Sequence, residues 1–152
     1  MKSIRLILAI VSTSLVLMMA GCDGSKDADF RLKAQEFLIR CSNDINKAEK
    51  DFSGKNIELT GGVMVWPGGL NHEGKPVVTI QSKVNGVYNE ARYYDTVNVY
   101  LIKKEDLSKF RQGDKVKVFA RYDKTVQRRV GNLTLINVWL KDGVIALDNK
   151  NN

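Results

Sequence analysis

The sequence predicts a mainly β domain, a small five-stranded Greek-key barrel preceded by one amphipathic α-helix. Three observations carry this. Apolar residues recur at spacings of three and four from Phe30 to Phe52, alternation and β-branched runs take over from Asn56, and Gly, Pro and Asn cut the remainder into segments of strand length. At 152 residues, 43% hydrophobic and 27% charged, the chain holds enough for one core. Those figures exclude a multidomain enzyme, a disordered protein and a disulfide scaffold.

At the N-terminus Lys2 and Arg5 precede an apolar run, Leu6 to Met19, that is short for a membrane span and ends in small residues. This reads as a cleaved secretion signal over residues 1–21. The run closes on Met19-Ala20-Gly21-Cys22, which resembles the lipobox of bacterial lipoproteins, with Met19 where that family most often has Leu. The resemblance implies that Cys22 is acylated, palmitate included, and becomes the mature N-terminus. Several chains at roughly 0.8 kcal/mol per buried methylene make a stable anchor. It also implies that Asp23 retains the protein in the inner membrane, so the expected place is the cell envelope, on the periplasmic face. Loss of Lys2 and Arg5 lowers the formal charge from +7 to +5, still basic enough to be drawn to anionic headgroups.

Residues 22–28 then form a lipidated tether, 29–147 the helix and barrel, and 148–152 a disordered tail. In the helix Phe30, Ala34, Phe37, Leu38, Cys41, Ile45, Ala48 and Phe52 share one face, Asp27 or Asp29 caps the first turn, and Ser53-Gly54-Lys55 ends it. Cys41 lies on the stripe and reads as a packed, inert thiol. Strand one is Asn56 to Trp66, bulged at Gly61-Gly62. Pro67 to Pro76, with His72, reads as a solvated loop. Strand two is Val77 to Val84, and Asn85-Gly86 a type I′ turn into an arm from Val87 to Tyr94. Strand three, Thr96 to Lys103, points Val97, Val99 and Leu101 inward. Glu105 to Phe110 makes one helical turn, followed by strand four, Lys115 to Tyr122. Asp123 to Gly131 is a basic loop. Strand five, Asn132 to Lys141, leads to a terminal arm, Val144 to Leu147.

Five such strands with a helical turn between the third and fourth fit a barrel of the OB type. The run Lys47 to Gly61, the segment Gly113 to Val118 and Asn132-Leu133-Thr134-Leu135 resemble OB-fold envelope lipoproteins related to the tRNA_anti-like family. There a helix precedes the barrel, Gly-Lys opens strand one and Gly-Asp-x-Val-x-Val opens strand four. The family name implies a nucleic-acid ancestry of the fold, which by itself assigns no function.

Chemistry-bearing motifs are sparse. With one His, no Cys-x-x-Cys, no phosphate-binding glycine loop and no nucleophile motif, the sequence predicts neither an enzyme nor a cofactor or metal site. Lys124, Arg128 and Arg129 in the basic loop, with Arg92 and the aromatics Trp66, Tyr93 and Tyr94, are the candidate ligand groove, placed where OB domains bind. The expected function is a membrane-anchored, non-catalytic module. Its expected partner is an envelope protein or an anionic ligand such as an envelope polymer. Nucleic acid is set aside, because it is scarce outside the cell. The alternative is a structural, stress or exclusion-type lipoprotein that occupies a membrane complex.

Overall fold

The apolar stripe that opens the domain folds as three elements rather than one helix. The computed structural model describes residues 27–71 and 73–148. In it Phe30–Lys33 is strand β1, followed by helices α1 (Ala34–Asn43) and α2 (Ile45–Phe52). Phe30 fits the helical stripe but pairs with Leu32 at the period of two of a pleat, and β1 runs parallel to β2 (Asn56–Val63), setting Phe30 opposite Ile57 and Leu32 opposite Leu59. Neither expected aspartate caps α1, whose N-cap is Lys33. Asp29 Oδ2 instead accepts the Asn56 N–H at 2.8 Å. Between the helices Asp44 takes extended backbone at φ −152°, and its Oδ1 accepts the Lys47 N–H at 2.9 Å, which stops one helix and caps the next. The stripe is buried nonetheless: Ala34, Phe37, Leu38, Cys41, Ala48 and Phe52 all lie in the core. Phe52 meets Phe30 and Phe37 edge-on at 5.0 and 5.2 Å.

The remaining elements are β3 (Trp66–Leu70), β4 (Pro76–Tyr88), β5 (Ala91–Leu101), a 3-10 helix (Lys104–Lys109), β6 (Lys115–Val130) and β7 (Leu133–Leu147). Seven strands form one open mixed sheet in the order β1-β2-β6-β7-β5-β4-β3, which corrects the expected five-stranded barrel. Its central run, β2-β6-β7-β5-β4, follows the strand order of an OB-type Greek key, with β1 and β3 added at the edges. The added β3 corrects the expected loop: Gly68, at φ +104°, lets Trp66–Leu70 fold back antiparallel onto β4. Pro67 is tolerated there because β3 is an edge strand. The sheet also coils on itself. The Val65 N–H donates to Thr79 O at 2.8 Å, and Gly62, at the end of the bulge in β2, lets the Ile80 carbonyl approach.

Two strand pairs are much longer than expected. β4 continues through Asn85-Gly86 with a register shift at Asn85, and the turn comes at Asn89-Glu90, where φ is +49° and +64°. Asn85 is held in the strand by its amide, which donates to Asp95 Oδ1 at 3.0 Å and to Thr134 O at 2.9 Å. Gly86 is small because Leu133 presses on it, a Cβ there falling 2.6 Å from Leu133 Cδ2. The basic loop is likewise strand: Lys124 to Val130 pair with β7 in an arm that turns at Gly131, φ +58°. The terminal arm is the end of β7, with Val144 opposite Phe119. Asp148, expected in the disordered tail, is anchored through its N–H to Lys115 O and through Oδ2 to the Gly61 N–H.

Candidate functional site

Val78, Val97, Val99, Val138 and Leu140 face the helices, so alternation turns their neighbours to the opposite, outer face of the sheet. The pairing register aligns Trp66, Thr79, Asn98, Trp139 and Lys124 in a single row across β3, β4, β5, β7 and β6. A second row holds Ser82, Thr96, Asn137 and Val126. Next along the arms, Tyr94 lies opposite Val84 and Arg128 opposite Leu135. Tyr100 stacks on Trp139 with ring centroids 5.0 Å apart and planes 21° from parallel. Trp66 and Tyr94 are 47% and 40% exposed, which leaves ring surface available for stacking.

The polar floor between these rings is closed on itself. Thr79 Oγ1 donates to Asn98 Oδ1, Asn98 Nδ2 to Thr96 Oγ1, and Thr96 Oγ1 to Asn137 Oδ1, each at 2.8 Å. Such a ladder stiffens the face and leaves cations and aromatic rings as its available groups. The cations of the arms are free: Arg92, Lys124 and Arg128 on this face, and Lys83 and Arg129 at the alternate positions opposite Asp95 and Thr134, have no ion pair or side-chain hydrogen bond among the described residues. The arm segments 83–95 and 124–135 contain those five bases and only two acids, Glu90 and Asp95. Asp95 is buried behind the face, where it accepts the Ile136 N–H at 2.8 Å and the Asn85 amide at 3.0 Å, tying the two arms together, with the Ser42 hydroxyl of α1 3.4 Å away.

The predicted groove residues therefore divide. Trp66, Tyr94, Lys124 and Arg128 come together on the outer face, and Arg92, opposite Val87 near an arm tip, shares their alternation. Tyr93 and Arg129 do not, since they occupy the alternate positions opposite Gly86 and Thr134. Sequence reasoning missed Tyr100 and Trp139. Their signal was legible: each is a large aromatic at a non-core position, Tyr100 between Val99 and Leu101, Trp139 between Val138 and Leu140. At one end of the face Tyr100, Lys124, Lys141, Asp123 and Asp142 line a cleft of about 630 Å³.

Behind the face, Glu49 Oε1 accepts the Tyr122 hydroxyl and the Thr125 N–H, both at 2.7 Å, fastening α2 to β6. Burial raises the Tyr122 hydroxyl well above its ordinary range and pushes the Cys41 thiol up to about 12. Cys41 is fully buried and remains protonated, so it supplies no nucleophile at neutral pH. Among the described residues no three metal-ligating side chains converge. His72, Cys22, Asp23, the signal over 1–21, the tether up to residue 26 and the tail beyond Asp148 lie outside the described residues.

No protein-family model and no curated protein matches the chain. Solved structures do. The Plasmodium falciparum SSB in complex with single-stranded DNA is 18% identical, with 60% of this chain and 92% of that one covered and a TM-score of 0.38. The small single-stranded DNA-binding protein of Streptomyces coelicolor is 15% identical over 62% and 94%, TM-score 0.40. A mitochondrial single-stranded DNA-binding protein of S. cerevisiae is 16% identical over 66% and 99%, TM-score 0.32. These neighbours run against the partner expected from the sequence. They are DNA-binding proteins, whereas the sequence reading set nucleic acid aside in favour of an envelope protein or anionic polymer, or of a lipoprotein occupying a membrane complex. Likeness at this level bears on the fold alone, so any ligand must be argued from the chain's own residues.

Proposed function

We propose that this chain is a non-catalytic module that binds single-stranded nucleic acid across the outer face of β3-β4-β5-β7-β6. One observation carries the reading: the row from Trp66 through Trp139 to Lys124, flanked by Tyr94 and Arg128, sets exposed rings beside unpaired cations on a stiff floor. Unstacked bases have ring faces for the aromatics, and their phosphates meet Lys124, Arg128 and Arg92. A duplex hides its ring faces and gains only the charge.

Fluorescence anisotropy of a labelled thymidine oligomer of about 15 nucleotides tests this, since single OB domains cover about 4–16. Saturable binding is expected, with a log Kd against log salt slope of magnitude near 2, at about 0.7 for each of three phosphate contacts. Trp66→Ala should weaken binding about 5- to 150-fold, the equivalent of one lost stack. Equal affinity for duplex, or a Trp66→Ala variant that binds as the parent does, would refute the stacking face.

The finer resemblances concern place rather than ligand. Met19-Ala20-Gly21-Cys22 supports acylation of Cys22 and an envelope location, and the tRNA_anti-like strand openings agree with the OB-type strand order. Partition of the expressed protein into a detergent phase, lost in Cys22→Ser, is the expected result; identical partition of both forms would overturn it.

A further inference from the structure

The cleft at the end of the face differs from the face itself. Along the arms the cations are unpaired, but in the cleft Lys141 Nζ pairs with Asp123 Oδ1 at 2.9 Å and Lys75 Nζ with Glu73 Oε2 at 2.9 Å, while Asp142 Oδ2 accepts the Arg121 guanidinium from outside the lining at 2.8 Å, so the three acids and three lysines of the lining cancel. Asp123 and Asp142 each keep one oxygen without a bond among the described residues. Lys124 alone offers a free ammonium there, and Tyr100, backed by Trp139, supplies an aromatic wall. A neutral cleft with open acceptors and a ring for a wall does not favour a phosphodiester. It suits a planar heterocycle with N–H groups at its edge, while the phosphate remains outside on the cationic arms.

Resting on the proposed nucleic-acid face, we infer that this cleft takes one base bearing an exocyclic amino group, stacked against Tyr100, with its amino hydrogens given to the free oxygens of Asp123 and Asp142. Cytosine fits this edge, because its N4 amino group donates to a carboxylate while its O2 and N3 accept from Lys124. Thymine does not, because it offers O4 where cytosine offers the amino group and would set a carbonyl against a carboxylate. The volume of about 630 Å³ admits a nucleotide without displacing the walls. The face then binds any single strand, and the cleft adds a preference at one position.

The experiment compares labelled dC and dT oligomers of equal length on the same protein, with an Asp123→Asn/Asp142→Asn double variant alongside. Asn preserves shape at both sites and tolerates the left-handed backbone of Asp142, φ +55°. The dC oligomer should bind about 5-fold or more tightly than dT, in line with a specific base contact. The double variant should bring that ratio to about one, even if the freed Lys141 and Arg121 strengthen binding of both. The ratio is therefore the readout. Equal affinities for dC and dT in the parent protein, or an unchanged ratio in the variant, would overturn the base-selecting cleft and leave the nucleic-acid face standing. Binding of neither oligomer would overturn the face itself.

Discussion

Replacing Asp95 should loosen both arms at once. The carboxylate is 4% exposed, and its strongest contact is the Ile136 N–H at 2.8 Å, from a residue itself only 5% exposed. In Asp95→Ala that donor is left buried without a partner, at a cost of about 1–3 kcal/mol, added to about 1.5 kcal/mol or more for the lost charge-assisted bond. The Asn85 amide loses less, because its bond to Thr134 O at 2.9 Å remains and the residue is exposed to water. The Ser42 bond, at 3.4 Å, is too long to matter much. The sum is about 2.5–4.5 kcal/mol. Asp95→Asn retains an acceptor for Ile136 and should cost about 1 kcal/mol. Urea denaturation followed by tryptophan fluorescence measures both, with the midpoint shifting at constant slope if the unfolded state is unchanged. An alanine variant within about 0.5 kcal/mol of the parent, or an asparagine variant less stable than alanine, would show that Asp95 does not pin the arms.

Three further outcomes follow from particular contacts. Gly68→Ala should destabilise by more than about 1 kcal/mol, because the residue sits at φ +104° and an added Cβ would run into the Val77 carbonyl, a backbone atom that cannot step aside; a melting temperature equal to the parent's would contradict this. Cys41, raised to about 12 by burial, should resist thiol reagents at pH 8 in the folded protein and react once urea unfolds it, and rapid labelling of the native form is the contrary result. Its proton is held more tightly folded than unfolded, so stability is complete below the ordinary thiol value near 9 and falls as pH rises from there toward 12; Tyr122, raised in the same direction, adds to the fall. Denaturation midpoints constant from pH 8 to about 11 would refute that linkage.

Much of the architecture was legible where local pattern and tertiary role agree. The helical stripe residues reach the core, the Gly61-Gly62 segment is bulged, and the inward set Val97, Val99, Leu101, Val116 and Val118 is buried. The failures share a cause. Asn85-Gly86 has the composition of a hairpin turn, but a turn pair and a close-packed strand pair place the same demand on size, and only Leu133 and Asp95 decide between them. The segment after Tyr122 was unreadable as strand because a bulge near Asp123 breaks its alternation and the arm has few apolar residues to mark a face.

Short-range chemistry in the chain set a helical lead-in followed by β structure, the place of Cys41 on an apolar stripe, and an excess of Lys and Arg near aromatic residues. Which of those residues share a surface was decided only by the tertiary structure. A row such as Trp66, Thr79, Asn98, Trp139 and Lys124 draws on five strands, and its alignment depends on register. Because side chains alternate with a period of two, a single bulge moves every later residue to the other face, which is why Lys124 and Arg128 joined the site while Arg129 left it.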